Sequence, residues 1–217
     1  MFNHFLARLI SASLLVPVGL TLGCGGRSPS TPTPPPTQPT APAALIVTAI
    51  YPAVGATSGS MVVTIKGSGF ESGATVTLDG VATNATVNNS GQIVTEPPAH
   101  SAGRVDVVVT NPDGKSGRLT GGFTYAVFTL TVSRILVTPG GQVSVSWVAP
   151  PGGHGDWVGL FRVGDPNTRY GWFEYTKGAT SGTLTLSAPT EAGQYEFRYL
   201  LDDDFIEAVR SSSLTVN

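Results

Sequence analysis

Val143, Val145 and Trp147 alternate with Gln142, Ser144 and Ser146, and the same two-residue period returns where Tyr195, Phe197 and Tyr199 alternate with Gln194, Glu196 and Arg198. Successive side chains of a strand point to opposite faces, so this period describes strands with one face in a core and the other turned outward. The stretch Asp156-Trp157-Val158-Gly159-Leu160-Phe161 is apolar on both faces, as a central strand is. Short Val- and Thr-rich runs of this kind are separated by turn residues all along the chain, which holds 27 Gly and 17 Pro in 217 residues and only 12% charged residues. The composition is all-β, and the length after an N-terminal leader suffices for two tandem β-sandwiches.

The leader is readable at 1–23: one cation at Arg8, an apolar stretch from Leu9 to about Leu20, and small residues before a break. Pro17 and Gly19 interrupt it too early for a spanning helix. Cys24, the only cysteine, follows Leu20-Thr21-Leu22-Gly23. These residues resemble the lipobox of bacterial lipoproteins, with Thr21 standing where Leu is usual. The resemblance implies lipidation at Cys24 and a membrane anchor, and Gly25 in place of the retaining Asp favours the outer membrane. Simple cleavage after Gly23 would leave a secreted or periplasmic protein. A lone cysteine forms no disulfide within the chain, so each domain rests on its apolar core. From residue 24 to 44 the chain is Pro- and Thr-rich, without a residue large enough to seed a core. A disordered, extended tether is expected there, reaching roughly 60 Å at about 3.1 Å per residue.

In the first domain, 45–125, strands are expected at 45–50, 61–65, 74–78, 82–87, 92–95, 105–110 and 122–125. Asp79-Gly80 is a two-residue hairpin signal and Asn111-Pro112-Asp113-Gly114 a turn. Pro52, Gly67-Ser68-Gly69-Phe70, Gly73-Ala74-Thr75-Val76, the 105–114 stretch and Gly122-Phe123-Thr124-Tyr125 resemble the IPT/TIG domain in order and spacing. That family implies an immunoglobulin-like sandwich that serves as spacer or contact module and carries no common active site. Gly67-Ser68-Gly69 is not followed by a helix, so a phosphate loop is excluded. In the second domain, 128–217, Phe128, Leu130 and Val132 share a face, and further strands are expected at 143–147, 156–161, 171–176, 182–187, 193–200 and 213–216. Asp156-Trp157-Val158-Gly159-Leu160-Phe161-Arg162-Val163-Gly164, Tyr170-Gly171-Trp172 and Gly193-Gln194-Tyr195-Glu196-Phe197-Arg198-Tyr199 resemble the SKICH domain, an immunoglobulin-like module that joins proteins to partners or membranes. Only Ala126 and Val127 separate the two units, so end-to-end packing with little hinge motion is expected.

Candidate sites cluster in the second domain. Tyr170, Trp172 and Tyr175 offer rings for stacking sugar C–H faces, with Arg169, Asp165 and Glu174 beside them for hydroxyls. Trp172 and Tyr175 are an odd number apart, so a regular strand turns them to opposite sides. Trp147 and Trp157 belong to inward-facing apolar sets. Asp202, Asp203 and Asp204 form an acidic run that can either gather oxygen ligands for Ca²⁺ or sit as a solvated hairpin tip. His100 and His154, without cysteine, make a poor zinc site. Asp156 and the acidic run at Asp202 are a carboxylate set that folding can bring together. A net charge of −2 without a Lys/Arg cluster excludes nucleic acid. The expected product is a monomeric, non-catalytic envelope protein without cofactor that binds a protein or polysaccharide through the loops at 165–175 and 202–205. A structural spacer is the alternative reading, and a hydrolase accessory module a third.

Overall fold

A computed structural model describes residues 44–217. The expected signal at 1–23, Cys24 and the tether as far as residue 43 lie outside the described residues. Among the described residues every regular element is a β-strand, and the fold is all-β with immunoglobulin-like sandwiches, as the alternation predicts.

The first sandwich consists of β1 (Ile46–Tyr51), β2 (Val54–Ala56), β3 (Val63–Ser68), β4 (Thr75–Leu78), β5 (Val81–Ala82), β6 (Asn84–Asn89), β7 (Gln92–Glu96), β8 (Gly103–Thr110) and β9 (Ser116–Ala126). One sheet runs β1-β3-β7-β6 and the other β2-β9-β8-β4-β5. The hairpin signal at Asp79-Gly80 is realised: Leu78 pairs Val81, and both turn residues take positive φ, +49° and +78°. That is what a twist-matched two-residue turn demands. The turn at 111–114 closes as expected, with the Gly114 amide donating to the Asn111 carbonyl at 2.9 Å. Asn111 itself is buried and ties down the preceding loop, donating to the Gly69 carbonyl at 2.8 Å and accepting from the Glu71 amide at 3.2 Å. Gly67 is required because a Cβ there would strike the Ile46 carbonyl and the Phe70 ring.

The second sandwich consists of β10 (Thr129–Val132), β11 (Leu136–Val137), β12 (Gln142–Val148), β13 (Trp157–Arg162), β14 (Tyr170–Tyr175), β15 (Ser181–Ser187), β16 (Gly193–Leu201), β17 (Ile206–Arg210) and β18 (Leu214–Val216). A small sheet, β10-β12-β15, faces a larger one ordered β11-β18-β16-β13-β14, with β17 also pairing β16. Val143, Val145 and Trp147 point inward as their period predicts. β13 is central, flanked by β14 and β16. One apolar core runs through both sandwiches, from Val63, Ile65 and Phe123 to Val145, Phe197 and Leu214. Phe128 joins it to Tyr199, with ring centres 5.5 Å apart.

The structure departs from the sequence expectation at five places. The strand expected at 82–87 is divided between β5 and β6, which belong to different sheets, and the one expected at 122–125 begins at Ser116. The strands β2, β11 and β17 are additional; β2 and β11 are too short to show a period and are held by parallel pairing to β9 and β18. Trp157 is buried, but with Phe161 and Leu200 in a cluster separate from the main core. It lies on the outer face of the large sheet, because Val158 and Leu160 take the inner one. The alternation at 193–200 holds, yet Glu196 and Arg198 are as buried as their apolar neighbours. The reason is cover from the 163–169 loop and β17. The Arg198 guanidinium donates to the Asp165 carbonyl at 2.8 Å, to Asn167 Oδ1 at 2.7 Å and to Glu196 Oε1 at 2.6 and 2.9 Å. It also lies 4.5 Å from the centre of the Phe161 ring, so four of its five N–H donors and its flat face are engaged.

Candidate functional site

β14 forms the free edge of the large sheet, paired with β13 alone among the described strands. Its register against β13 slips by one residue: Leu160 pairs Trp172 and Phe161 pairs Tyr170, leaving Gly171 as the extra residue of a bulge. Paired residues share a face. Trp172 therefore lies with Leu160 on the inner side, whereas Tyr170, Phe173 and Tyr175 lie with Phe161, Gly159 and Trp157 on the outer side. The odd spacing of Trp172 and Tyr175 separates them as parity predicts, and the bulge moves Tyr170 to the side of Tyr175.

On the inner side a cleft of about 620 Å³ opens between the start of β14 and the segment joining β15 to β16. Leu160, Trp172 and Tyr195 contribute its apolar wall, and Arg162, Asp165, Arg169 and Glu191 its charged rim. Trp172 is half-buried and meets Phe197 edge-on at 6.5 Å. The rim groups are held to different degrees. Arg162 is bound to Glu191 at 2.9 Å and to the Ala192 carbonyl at 3.1 Å. Arg169 stands 3.8 Å from Asp165 with its side chain 78% exposed. A guanidinium this loosely paired keeps its donor fork for a ligand. Ser187, Pro189 and Thr190 complete the opposite wall. Of the residues singled out in the sequence, Arg169, Tyr170, Trp172 and Asp165 thus meet in one cleft. Tyr175 does not; it sits at the other end of β14 on the other face, its hydroxyl donating to Asp203 Oδ1. That bond to a carboxylate pushes the phenol pKa up. Glu174 is also elsewhere, 3.5 Å from Lys177.

The outer side carries what the sequence reading missed. Trp157, 5% exposed, is ringed by Tyr170, Phe173 and Phe205 at centroid distances of 5.3, 5.8 and 6.1 Å. Phe173 in turn meets Tyr170 at 5.2 Å and Tyr175 at 5.7 Å, all edge to face. Tyr170, Phe173, Tyr175 and Phe205 remain between 38 and 43% exposed. Gly159 makes the arrangement possible, since a Cβ there would come within 2.7 Å of the Phe161 ring and 2.8 Å of Trp157. The i, i+2 pair Phe173 and Tyr175 was a legible signal of this face; the remaining members come from separate segments.

The acidic run caps the β16–β17 hairpin, with Asp202 and Asp203 in the left-handed region at φ +54° and +57°. Its carboxylates do not converge. Asp203 takes the Tyr175 hydroxyl, and Asp204 accepts the Phe205 amide at 2.7 Å. Among the described residues no three His, Cys, Asp or Glu side chains gather as a cation site. Asp203 and Asp204 thus each already serve a donor of the chain. Asp156 does meet the run, as a buried strut. Its Oδ1 accepts the Asp202 amide and its Oδ2 the Tyr199 hydroxyl, both at 3.0 Å, while the Gly155 carbonyl accepts the Asp203 amide at 2.8 Å. Burial, then Asp156, then Asp204 raise the Asp202 pKa. His100 is occupied in the first sandwich, stacked on Tyr125 at 4.8 Å.

Residues 45–126 match the IPT/TIG domain family. No curated protein sequence matches the chain. Among solved structures the chain is similar to the full extracellular region of plexin A4, domains 1 to 10, at 16% identity over 80% of this chain and 15% of that one, TM-score 0.47. It is similar to the gamma-CGTase of alkalophilic Bacillus clarkii at 18% identity over 80% of this chain and 27% of that one, TM-score 0.37. It is also similar to SGBP-B of the Bacteroides ovatus mixed-linkage glucan utilization locus, solved with a mixed-linkage heptasaccharide, at 13% identity over 73% of this chain and 41% of that one, TM-score 0.29. The chain thus corresponds to less than half the length of each of these proteins.

Proposed function

With an IPT/TIG domain at residues 45–126 as the premise, we propose that the protein is a non-catalytic binding module of the cell envelope that takes polysaccharide in the cleft at Trp172. The observation that carries this reading is the meeting of a half-buried indole with the loosely paired Arg169 in one open cleft. An indole face stacks on the C–H face of a sugar ring, and a guanidinium fork, a carboxylate and the hydroxyls of Ser187 and Thr190 bond its hydroxyl groups. The first sandwich serves as the spacer that holds the second, SKICH-like one away from the surface, and Cys24 supplies the lipid anchor, with the outer membrane favoured by Gly25. The purely structural reading is disfavoured by the four half-exposed rings on the outer face, since a spacer has no use for an exposed apolar patch.

The test is affinity electrophoresis of the full chain in mild detergent against envelope and plant polysaccharides. Retardation by at least one glycan, lost in Trp172→Ala and Arg169→Ala and kept in Tyr175→Ala, is expected. Unchanged mobility with every glycan, or retardation indifferent to both cleft variants, overturns the reading. For the anchor, radiolabelled palmitate is expected to enter the wild-type chain and not Cys24→Ala.

A further inference from the structure

We propose that the outer face of β14 is a second docking surface, adjoining the cleft at Tyr170 and distinct from it at Phe173, Tyr175 and Phe205, and that its occupant is a polypeptide partner presenting lysine or arginine side chains. Four rings, Tyr170, Phe173, Tyr175 and Phe205, are left 38 to 43% exposed around the buried Trp157, on one face of a free sheet edge. Aromatic side chains gathered around a desolvated centre are the composition of interface hot spots. The neighbouring rings stand at 65 to 88° to one another. That leaves no coplanar platform of several rings for a run of sugar units, and it presents ring faces and clefts between them to a side chain.

The charge around the patch selects the occupant. Asp202, Asp203 and Asp204 are all exposed, and the last two adjoin the patch. Two of them are fastened to the rings: Asp203 accepts the Tyr175 hydroxyl, and the Asp204 carbonyl accepts the Trp157 indole N–H at 3.1 Å. Among the described residues none of the three carboxylates pairs with a Lys or Arg. The nearby cations are engaged elsewhere, Arg198 with Glu196 and Lys177 with Glu174, and Arg169 leans to Asp165 on the cleft side. Aromatic faces beside carboxylates without a counter-charge attract a cation twice, through the ring quadrupole and through Coulomb attraction, and the second term sets orientation and on-rate. Tyr170 borders both sites, whereas Phe173 and Tyr175 face away from Trp172 and belong to the patch alone.

Fluorescence anisotropy of a labelled, acetyl-capped peptide of alternating Lys and Ser, titrated with the full chain in mild detergent, tests this, with the same peptide bearing Glu for Lys as comparison. The Lys peptide is expected to bind at least ~10-fold tighter than the Glu peptide, and Phe173→Gln to weaken it by ~10-fold. Asp203→Asn with Asp204→Asn, which retains the turn because Asn tolerates positive φ, is expected to weaken it by a similar factor. Trp172→Ala is expected to leave it unchanged. Equal binding of the two peptides, or a Lys-peptide affinity indifferent to Phe173→Gln while the acidic variant abolishes it, overturns the proposal, the second result reducing the effect to charge alone. Glycan retardation lost in Phe173→Gln and kept in Trp172→Ala also overturns it, by assigning the face to sugar.

Discussion

Replacing Asp156 by alanine removes a carboxylate that is itself buried and that serves two donors at once, the Tyr199 hydroxyl and the Asp202 amide, each at 3.0 Å. Tyr199 is 1% exposed, so its hydroxyl cannot turn to bulk water, whereas the Asp202 amide lies at the base of an exposed hairpin tip and can. An unsatisfied buried donor costs about 1–3 kcal/mol, and a bond to a charged acceptor is worth about 1.5–3. Taking the upper half of that range for the tyrosine and little for the amide puts the loss at ~3 kcal/mol, or a fall in Tm of about 6–12 °C for a chain of this size. The origin of the loss is separable. Tyr199→Phe removes the orphaned hydroxyl, so in the Asp156→Ala background it is expected to restore ~1 kcal/mol or more, although alone it destabilises. Urea unfolding followed by tryptophan fluorescence on the four members of the cycle measures this. A loss below ~0.5 kcal/mol for Asp156→Ala, or a double variant no more stable than the single one, would refute the argument that the strut is held by the buried hydroxyl.

Three further outcomes are expected. Gly159→Ala forces the Trp157 and Phe161 rings off their backbone shelf and is expected to cost about 1–3 kcal/mol and to change near-ultraviolet circular dichroism, since the Cβ would stand 2.7 and 2.8 Å from those rings. Arg198→Met leaves Glu196, 5% exposed at the side chain, with only the half-exposed Arg210 as counter-charge, and is expected to cost ~3 kcal/mol by chemical denaturation and to loosen the 165–169 loop, raising the Kd of any cleft ligand. Asp202 has a folded-state pKa above its ordinary 3.8, so its proton is held more tightly in the folded chain; the stability it contributes is complete below about pH 3.8 and is lost as pH rises through the folded value. Asp202→Asn is accordingly expected to stabilise at pH 7, by less than ~1 kcal/mol because the group is solvent-screened, and to match the wild type at pH 3; a loss at neutral pH in thermal melts would reverse this sign.

Local chemistry made much of the architecture legible. Asp79-Gly80 can close a hairpin because both positions accept positive φ, and Val143, Val145 and Trp147 point inward because a strand has period two. The candidate site was legible in part. Arg169, Tyr170 and Trp172 meet in the cleft because they are close in sequence on one strand end, and Trp172 and Tyr175 part because of parity. The register slip at Gly171 has no unambiguous sequence signal, and it is this slip that turns Tyr170 toward Phe173 and Tyr175. Glu196 and Arg198 look like solvent positions by period, and they are buried because the 163–169 loop and β17 fold over that face.

What the amino-acid sequence determined by itself is therefore everything that depends on neighbours along the chain: the all-β class, the turns, the alternating faces and the IPT/TIG pattern of the first half. What only the tertiary structure decided depends on segments far apart: Asp156 with Tyr199 and Asp202, Trp157 with Phe205 and Asp204, Arg198 with Asp165 and Asn167. Backbone period sets which way each side chain points, but which loop comes to cover it is settled by closure of the chain over tens of residues, and no local preference encodes that.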